Sequence, residues 1–90
     1  MLEIEIYTRQ GCGYCTAAKA LLEKVGARYV EHDATVRPEL RAEMVRRSGR
    51  NTFPQVFIGA RHVGGCDDLY ELHGAGGLMP LLAAPATVTS

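Results

Sequence analysis

The sequence predicts a small α/β domain whose four strands include one parallel and one antiparallel pair, with helices interleaved in the order βαβαββα. Three observations carry this. Leu2, Ile4 and Ile6 alternate with Glu3, Glu5 and Tyr7, the period of two of a strand. Cys15, Ala18, Leu22 and Val25 then recur at three- and four-residue spacings, the period of one helix face. Near the other end two short β-prone runs flank Gly59-Ala60. Ninety residues, 47% of them hydrophobic, bury one core but not two, and the composition is that of a globular chain.

Taken in order, the first strand ends near Thr8, and helix one follows Arg9-Gln10-Gly11 and stops at Gly26, a C-terminal glycine. Arg28 to His32 is a short second strand, and a crossover this long makes it parallel to the first, joined right-handedly. Pro38 suits the first turn of helix two, whose Leu40, Met44 and Val45 are expected to face the core before Gly49 ends it. Gln55 to Ile58 and Arg61 to Val63 form an antiparallel hairpin, with Gly59 in the position a II′ turn requires. Asp67 is expected to cap helix three, Asp68 to His73, and Leu78 to Leu82 to add a last turn despite Pro80. Residues 1–83 are thus expected to form one domain, with 84–90 as a frayed tail.

Ten basic residues balance ten acidic ones, so no global field draws the chain to nucleic acid or to an anionic membrane. Six of the eight arginines lie between Arg28 and Arg50, while Asp67, Asp68 and Glu71 come later, so opposite signs are expected on different parts of the surface, or simply on solvated helix faces. No apolar run is long enough to span a bilayer. The opening residues Met1 to Tyr7 carry Glu3 and Glu5 instead of a basic leader, which points to a cytoplasmic protein. Three cysteines, two of them only three apart, do not resemble the disulfide framework of a small secreted domain. Reactive or metal-binding thiols fit better.

Cys12-Gly13-Tyr14-Cys15 falls where strand one gives way to helix one. The first turn of a helix offers unpaired backbone N–H groups and the positive end of its dipole, which favour a thiolate at Cys12, and Arg9 adds a cation. Cys15, one turn on and more buried, is placed to act on a mixed disulfide formed at Cys12. The competing chemistry is zinc, with Cys12, Cys15, Cys66 and His62 as four ligands, although a second closely spaced ligand pair is missing. Pro54, in Thr52-Phe53-Pro54, belongs at the start of a strand; a cis bond there turns the backbone towards the thiols, whereas trans is the ordinary state. Gly64-Gly65-Cys66-Asp67-Asp68 joins close-approach glycines to a helix start, where N–H groups suit a carboxylate and Asp67 an ammonium group. That pairing fits an α-amino acid, and a plain turn with an N-cap is the simpler alternative.

Together Tyr7-Thr8-Arg9, the Cys12 to Cys15 motif, Thr52-Phe-Pro54 and Gly64-Gly-Cys-Asp-Asp68 resemble the glutaredoxins, in their small bacterial dithiol form, over about residues 2–82. The resemblance implies a thioredoxin fold with a four-stranded mixed sheet flanked by helices, and a cis Pro54. It implies a glutathione-dependent thiol-disulfide oxidoreductase with Cys12 and Cys15 as catalytic thiols and glutathione as reductant. Phe53 is then expected to hydrogen-bond the cysteinyl backbone of glutathione beside Thr52 and Pro54. Arg9 and Arg41 pair with its glycyl carboxylate, Tyr14 lines the groove, and Gly65, Cys66 and Asp67 hold the γ-glutamyl end.

Two positions depart from the family's commonest pattern: Gly13 replaces a proline and Phe53 a valine. A small residue in place of that proline is associated in the family with a [2Fe-2S] cluster bridging two protomers through the first active-site cysteine and two glutathiones. The alternative reading is therefore a cluster-binding dimer, a carrier or redox sensor with Cys12 as ligand. The enzyme reading has no metal, a monomer, and glutathionylated or disulfide-containing proteins as partners. A thioredoxin is disfavoured, because no Trp precedes Cys12 and Tyr14 stands where Cys-Gly-Pro-Cys has proline.

Overall fold

The computed structural model describes residues 3–82; Leu2 of the expected first strand and the expected tail at 84–90 lie outside them. β1 (Ile4–Thr8) organises the rest. α1 (Gly13–Lys24) leads from it to β2 (Val30–Asp33), α2 (Pro38–Ser48) follows, and β3 (Gln55–Ile58) and β4 (Arg61–Gly64) form the hairpin before α3 (Cys66–Gly74) and α4 (Leu78–Leu82). The strands make one sheet in the order β2-β1-β3-β4. β1 pairs parallel with β2 and antiparallel with β3, and β4 closes the sheet antiparallel to β3. This is the expected mixed sheet and element order.

Alternation along β1 and β3 assigns their side chains to two layers. Ile4, Ile6, Val56 and Ile58 face Ala18, Leu21 and Leu22 of α1, Leu69 of α3 and Leu78 and Leu82 of α4, making the larger core. Each such aliphatic side chain contributes about 1.5–3 kcal/mol by leaving water. On the opposite face Tyr7 and Phe57 meet Met44 of α2 in a smaller cluster, with Phe53 packed at its margin. Tyr7 is therefore as buried as its aliphatic neighbours, because α2 covers the face that alternation alone left the more open one.

Helix ends follow local chemistry. Gly26 and Gly49 both have a left-handed φ, 75° and 73°, and terminate α1 and α2 as expected. In the hairpin turn Gly59 has φ 60° while among the described residues no non-glycine residue has a positive φ, the combination that a II′ turn uses.

Three expectations are corrected. The second strand begins at Val30 and ends at Asp33, later than Arg28 to His32, because its register is set by pairing of Glu5 to Thr8 with Val30 to Asp33. Val45 of α2 is exposed at 38% while Met44 is fully buried; successive helical residues point about 100° apart, so only one of the pair can face Tyr7. Helix three starts at Cys66 with Gly65 as N-cap, so Asp67 lies inside its first turn and does not cap it. Asp68 takes that part: its carboxylate accepts from the Gly65 N–H at 2.9 Å, the reach-back of a residue three positions past the N-cap.

Candidate active site

Cys12 is the N-cap of α1, with extended backbone angles and a side chain that accepts a hydrogen bond from the Cys15 N–H at 3.1 Å. A sulfur there receives one of the donors that every helix start leaves unpaired. Cys12 is half-buried, whereas Cys15 is only 2% exposed. Burial, reinforced by the hydrogen bond with Cys12 and only partly opposed by Arg9, pushes the Cys15 thiol up to about 12. The pair is thus asymmetric, one sulfur at the surface with a donor aimed at it and one kept as a buried thiol.

The loop before β3 completes this corner. The Phe53–Pro54 peptide bond is cis, and the Phe53 carbonyl lies 3.8 Å from Cys12 Sγ. Tyr14, 67% exposed, forms one wall of a groove of about 260 Å³ whose other walls include Thr52, Phe53, Pro54, Gly65, Cys66 and Asp67. Arg9 and Arg41 line an adjoining groove of about 400 Å³ with Asn51, Thr52 and Phe53. Thr52 and Phe53 belong to both, so the structure brings all the residues singled out for binding around one strand entry, with cations at one end and the start of α3 at the other. The Cys66 thiol, buried and next to Asp67 and Cys12, is pushed up, burial being the main cause.

This packing requires a glycine at Gly64 and leaves little room at Gly65. Gly64 has φ 122°, and a Cβ there would collide with the Asp68 carboxylate; at Gly65 a Cβ would stand 3.4 Å from the Pro54 carbonyl. Close approach of the α3 start to the proline loop is what puts Asp67 and Pro54 in one groove.

Four groove residues were not singled out from the sequence. Arg50 lines the groove and pairs with Asp68 at 3.0 Å. The Gly65 N–H and Arg50 hold the Asp68 carboxyl below its ordinary range, and the three-residue offset of a capping box was the available signal for it. Asn51 accepts from Arg41 Nε at 2.8 Å. Gln55, 1% exposed, donates to both the carbonyl and the hydroxyl of Thr52 at 3.1 Å. No sequence pattern marks these last contacts. His62, one of the four zinc candidates, is engaged with Gln55 Oε1 at 2.7 Å, and among the described residues no three His, Cys, Asp or Glu side chains converge to hold an ion.

Comparison with known proteins agrees with this arrangement. The family described as Glutaredoxin matches residues 4–63. Glutaredoxin 3 of Escherichia coli strain K12 is 52% identical over 82 residues, covering 91% of this chain and 99% of that protein. The solution structure of a glutaredoxin from Brucella melitensis, 63% identical, superposes with a TM-score of 0.81 over 91% of this chain and 89% of the other. The crystal structure of a buckwheat glutaredoxin–glutathione complex, 35% identical, gives the same TM-score over 88% and 74% of the two chains. The sheet is therefore that of the thioredoxin fold, and the chain belongs to the glutaredoxin family of glutathione-dependent thiol-disulfide oxidoreductases.

Proposed function

We propose that Cys12 is the attacking sulfur and Cys15 the resolving one. In the monothiol route the Cys12 thiolate attacks the glutathionyl sulfur of a mixed disulfide. The old S–S bond breaks, the target leaves as a thiolate that takes up a proton, and Cys12 is left joined to glutathione. A second glutathione thiolate attacks that glutathionyl sulfur, releasing Cys12 thiolate and glutathione disulfide. With a protein disulfide, the Cys12 thiolate attacks one sulfur of the target, so that the target's S–S bond breaks, its other sulfur leaves as a thiolate that takes up a proton, and Cys12 is joined to the target. Cys15 loses its proton as it displaces the target, and two glutathiones reduce the resulting Cys12–Cys15 bond in turn.

The observation that carries this reading is the asymmetry of the two thiols: the Cys15 N–H points at a half-exposed Cys12 Sγ at 3.1 Å, while Cys15 itself is buried. Groove chemistry supports the binding assignments. Arg9 and Arg41 offer cations for the glycyl carboxylate, the peptide groups of Thr52 and Phe53 beside Pro54 meet the cysteinyl backbone, and Tyr14 covers it. Gly65 and Cys66, at the start of α3, meet the γ-glutamyl carboxylate, with Asp67 for its ammonium group. The relative crystallised with glutathione favours the same ligand here. We read residues 1–83 as one domain, acting as a monomer on glutathionylated and disulfide-bonded proteins in the cytoplasm, where reduced glutathione is abundant. No helix among the described residues is long and apolar enough to cross a membrane.

The test is turnover of a small glutathione-mixed disulfide coupled to glutathione reductase. Cys12→Ser is expected to abolish it and Cys15→Ser to retain it; activity in Cys12→Ser would overturn the assignment.

A second reading rests on Gly13, where a Cβ would meet nothing within 4 Å, leaving the rim beside Cys12 open. One thiolate per chain fits a [2Fe-2S] cluster only if a second copy and two glutathiones complete the ligand set; the cluster would supply electron storage. Anaerobic reconstitution with iron, sulfide and glutathione tests it: a brown dimer supports a cluster form, and a colourless monomer removes it.

A further inference from the structure

Both cations of the second groove lie over the Phe53 ring. Its ring centroid lies 5.9 Å from the Arg9 guanidinium carbon and 5.8 Å from that of Arg41. Among the described residues neither arginine has a carboxylate within ion-pair distance, whereas Arg37, Arg47 and Arg50 each do. Their contacts are neutral instead: the aromatic face for both, and the Asn51 amide for Arg41 at 2.8 Å. The ring in turn is seated against Tyr7, Met44 and Phe57, so its position is fixed by the smaller core.

Two like charges in one groove repel, and an acidic partner would hold them only by neutralising them. An aromatic face attracts both through its quadrupole and leaves their N–H groups available. We propose that the Phe53 side chain is a specificity-determining platform. It holds Arg9 and Arg41 together as a joint receptor for one carboxylate, so that the chain favours thiol peptides with a free C-terminal carboxylate over those whose C-terminus is neutral. The inference rests on the glutathione site proposed above and goes beyond it, since it assigns the discrimination to a side chain whose ring lies under both arginines. A valine at this place would lack the ring and leave each arginine to sample more of the groove. Each cation–π contact corresponds to about a two- to fivefold preference at an exposed site.

The experiment measures kcat/KM for two mixed disulfides of 2-mercaptoethanol, one with glutathione and one with glutathione amidated at its glycine, using glutathione as reductant throughout. The ratio of the two constants is compared between wild type, Phe53→Val, Phe53→Leu, Phe53→Tyr and Arg41→Gln. Alkylation of Cys12 by iodoacetamide, a neutral reagent, monitors the thiol separately. The expected result is a carboxylate preference in wild type that falls about fivefold in the Val and Leu chains and is largely recovered by Tyr relative to Leu. Arg41→Gln is expected to lower the ratio and to blunt any further effect of Phe53→Val. Leucine restores bulk without a π face, so a purely structural role predicts recovery by Leu. That outcome, an unchanged ratio in Phe53→Val, or a wild type indifferent to amidation would overturn the proposal. Wild type that alkylates normally but turns over neither disulfide would instead overturn the glutathione site itself.

Discussion

At the scale of single residues, the site depends on two cysteines of the same type made unlike by position. Cys12 sits on a helix end with a backbone donor 3.1 Å from its sulfur, while Cys15 lies beneath it with its thiol pushed to about 12. That shift has a stability consequence. A thiol whose folded value is raised from the ordinary 9.0 to about 12 binds more protons folded than unfolded between those limits. Its contribution is therefore fully present below pH 9 and is lost as pH rises towards 12. Stability measured by denaturant titration is expected to decline over this range, and Cys15→Ser to decline less steeply; parallel slopes would show that Cys15 is not the group involved. Tyr29, raised to about 12 by burial and by Glu23, adds to the decline in both chains, so the difference between slopes is the informative quantity. Replacing Gln55 tests a neighbouring contact. Gln55→Leu removes both bonds to Thr52, and KM for a glutathione-mixed disulfide is expected to rise severalfold while Cys12 alkylation is unchanged.

At the scale of elements, α3 illustrates how a sequence motif can be legible while its internal roles are not. The Gly64 to Asp68 segment reads as a helix start with close-approach glycines, and the structure has both. The sequence points to Asp67 as the cap, yet Gly65 occupies that position and Asp68 reaches back to it. Two adjacent aspartates are indistinguishable until the helix phase is known, and that phase is set by packing Leu69 into the core. Asp68→Ala removes the bond to Gly65 and the pair with Arg50, and thermal or chemical denaturation is expected to show a loss of about 1 kcal/mol. The same carboxylate is held below its ordinary value, so its contribution is present above about pH 4 and is lost as pH falls below it. Gly64→Ala meets both a positive φ and the Asp68 carboxylate. A loss of about 2 kcal/mol is expected, and an unchanged denaturation midpoint would contradict the close approach.

At the scale of the whole molecule, the sheet separates two unequal layers, and the smaller one ties α2 to the strand entry at the site. Arg47 is its fastener: the guanidinium carbon lies 4.0 Å from the Phe57 ring centroid, and its nitrogens reach Tyr7 Oη at 2.8 Å and both Glu5 oxygens at 3.1 and 3.2 Å. Burial alone would raise Glu5, but hydrogen bonds from Arg47 and His32 and the charge of Arg47 outweigh it and hold the carboxyl low. Arg47→Ala removes packing, stacking and hydrogen bonds together and leaves Glu5 with His32 alone. A loss of about 2 kcal/mol, or roughly 10 °C in Tm for a domain of this size, is expected by calorimetry. A change within error would mean that α2 is held by Met44 without it. The arginines gathered between Arg28 and Arg50 thus do not form one free basic surface: Arg47 and Arg50 pair with acidic residues from elsewhere in the chain.

By itself the sequence determined the order of elements, the hairpin and its turn, the helix-end glycines and the Cys-x-x-Cys at a helix start. Each of these depends on local preferences: side-chain period, a glycine able to take a positive φ, a proline suited to one end of an element. Tertiary structure decided which of Met44 and Val45 turns inward, which aspartate serves the α3 cap, and where β2 begins. It also decided that Arg50, Asn51 and Gln55 stand around the groove. These outcomes depend on contacts between segments far apart in the chain, and on neighbours competing for the same buried place. No single stretch carries that information, because burial and pairing are properties of the packed sheet and helices together.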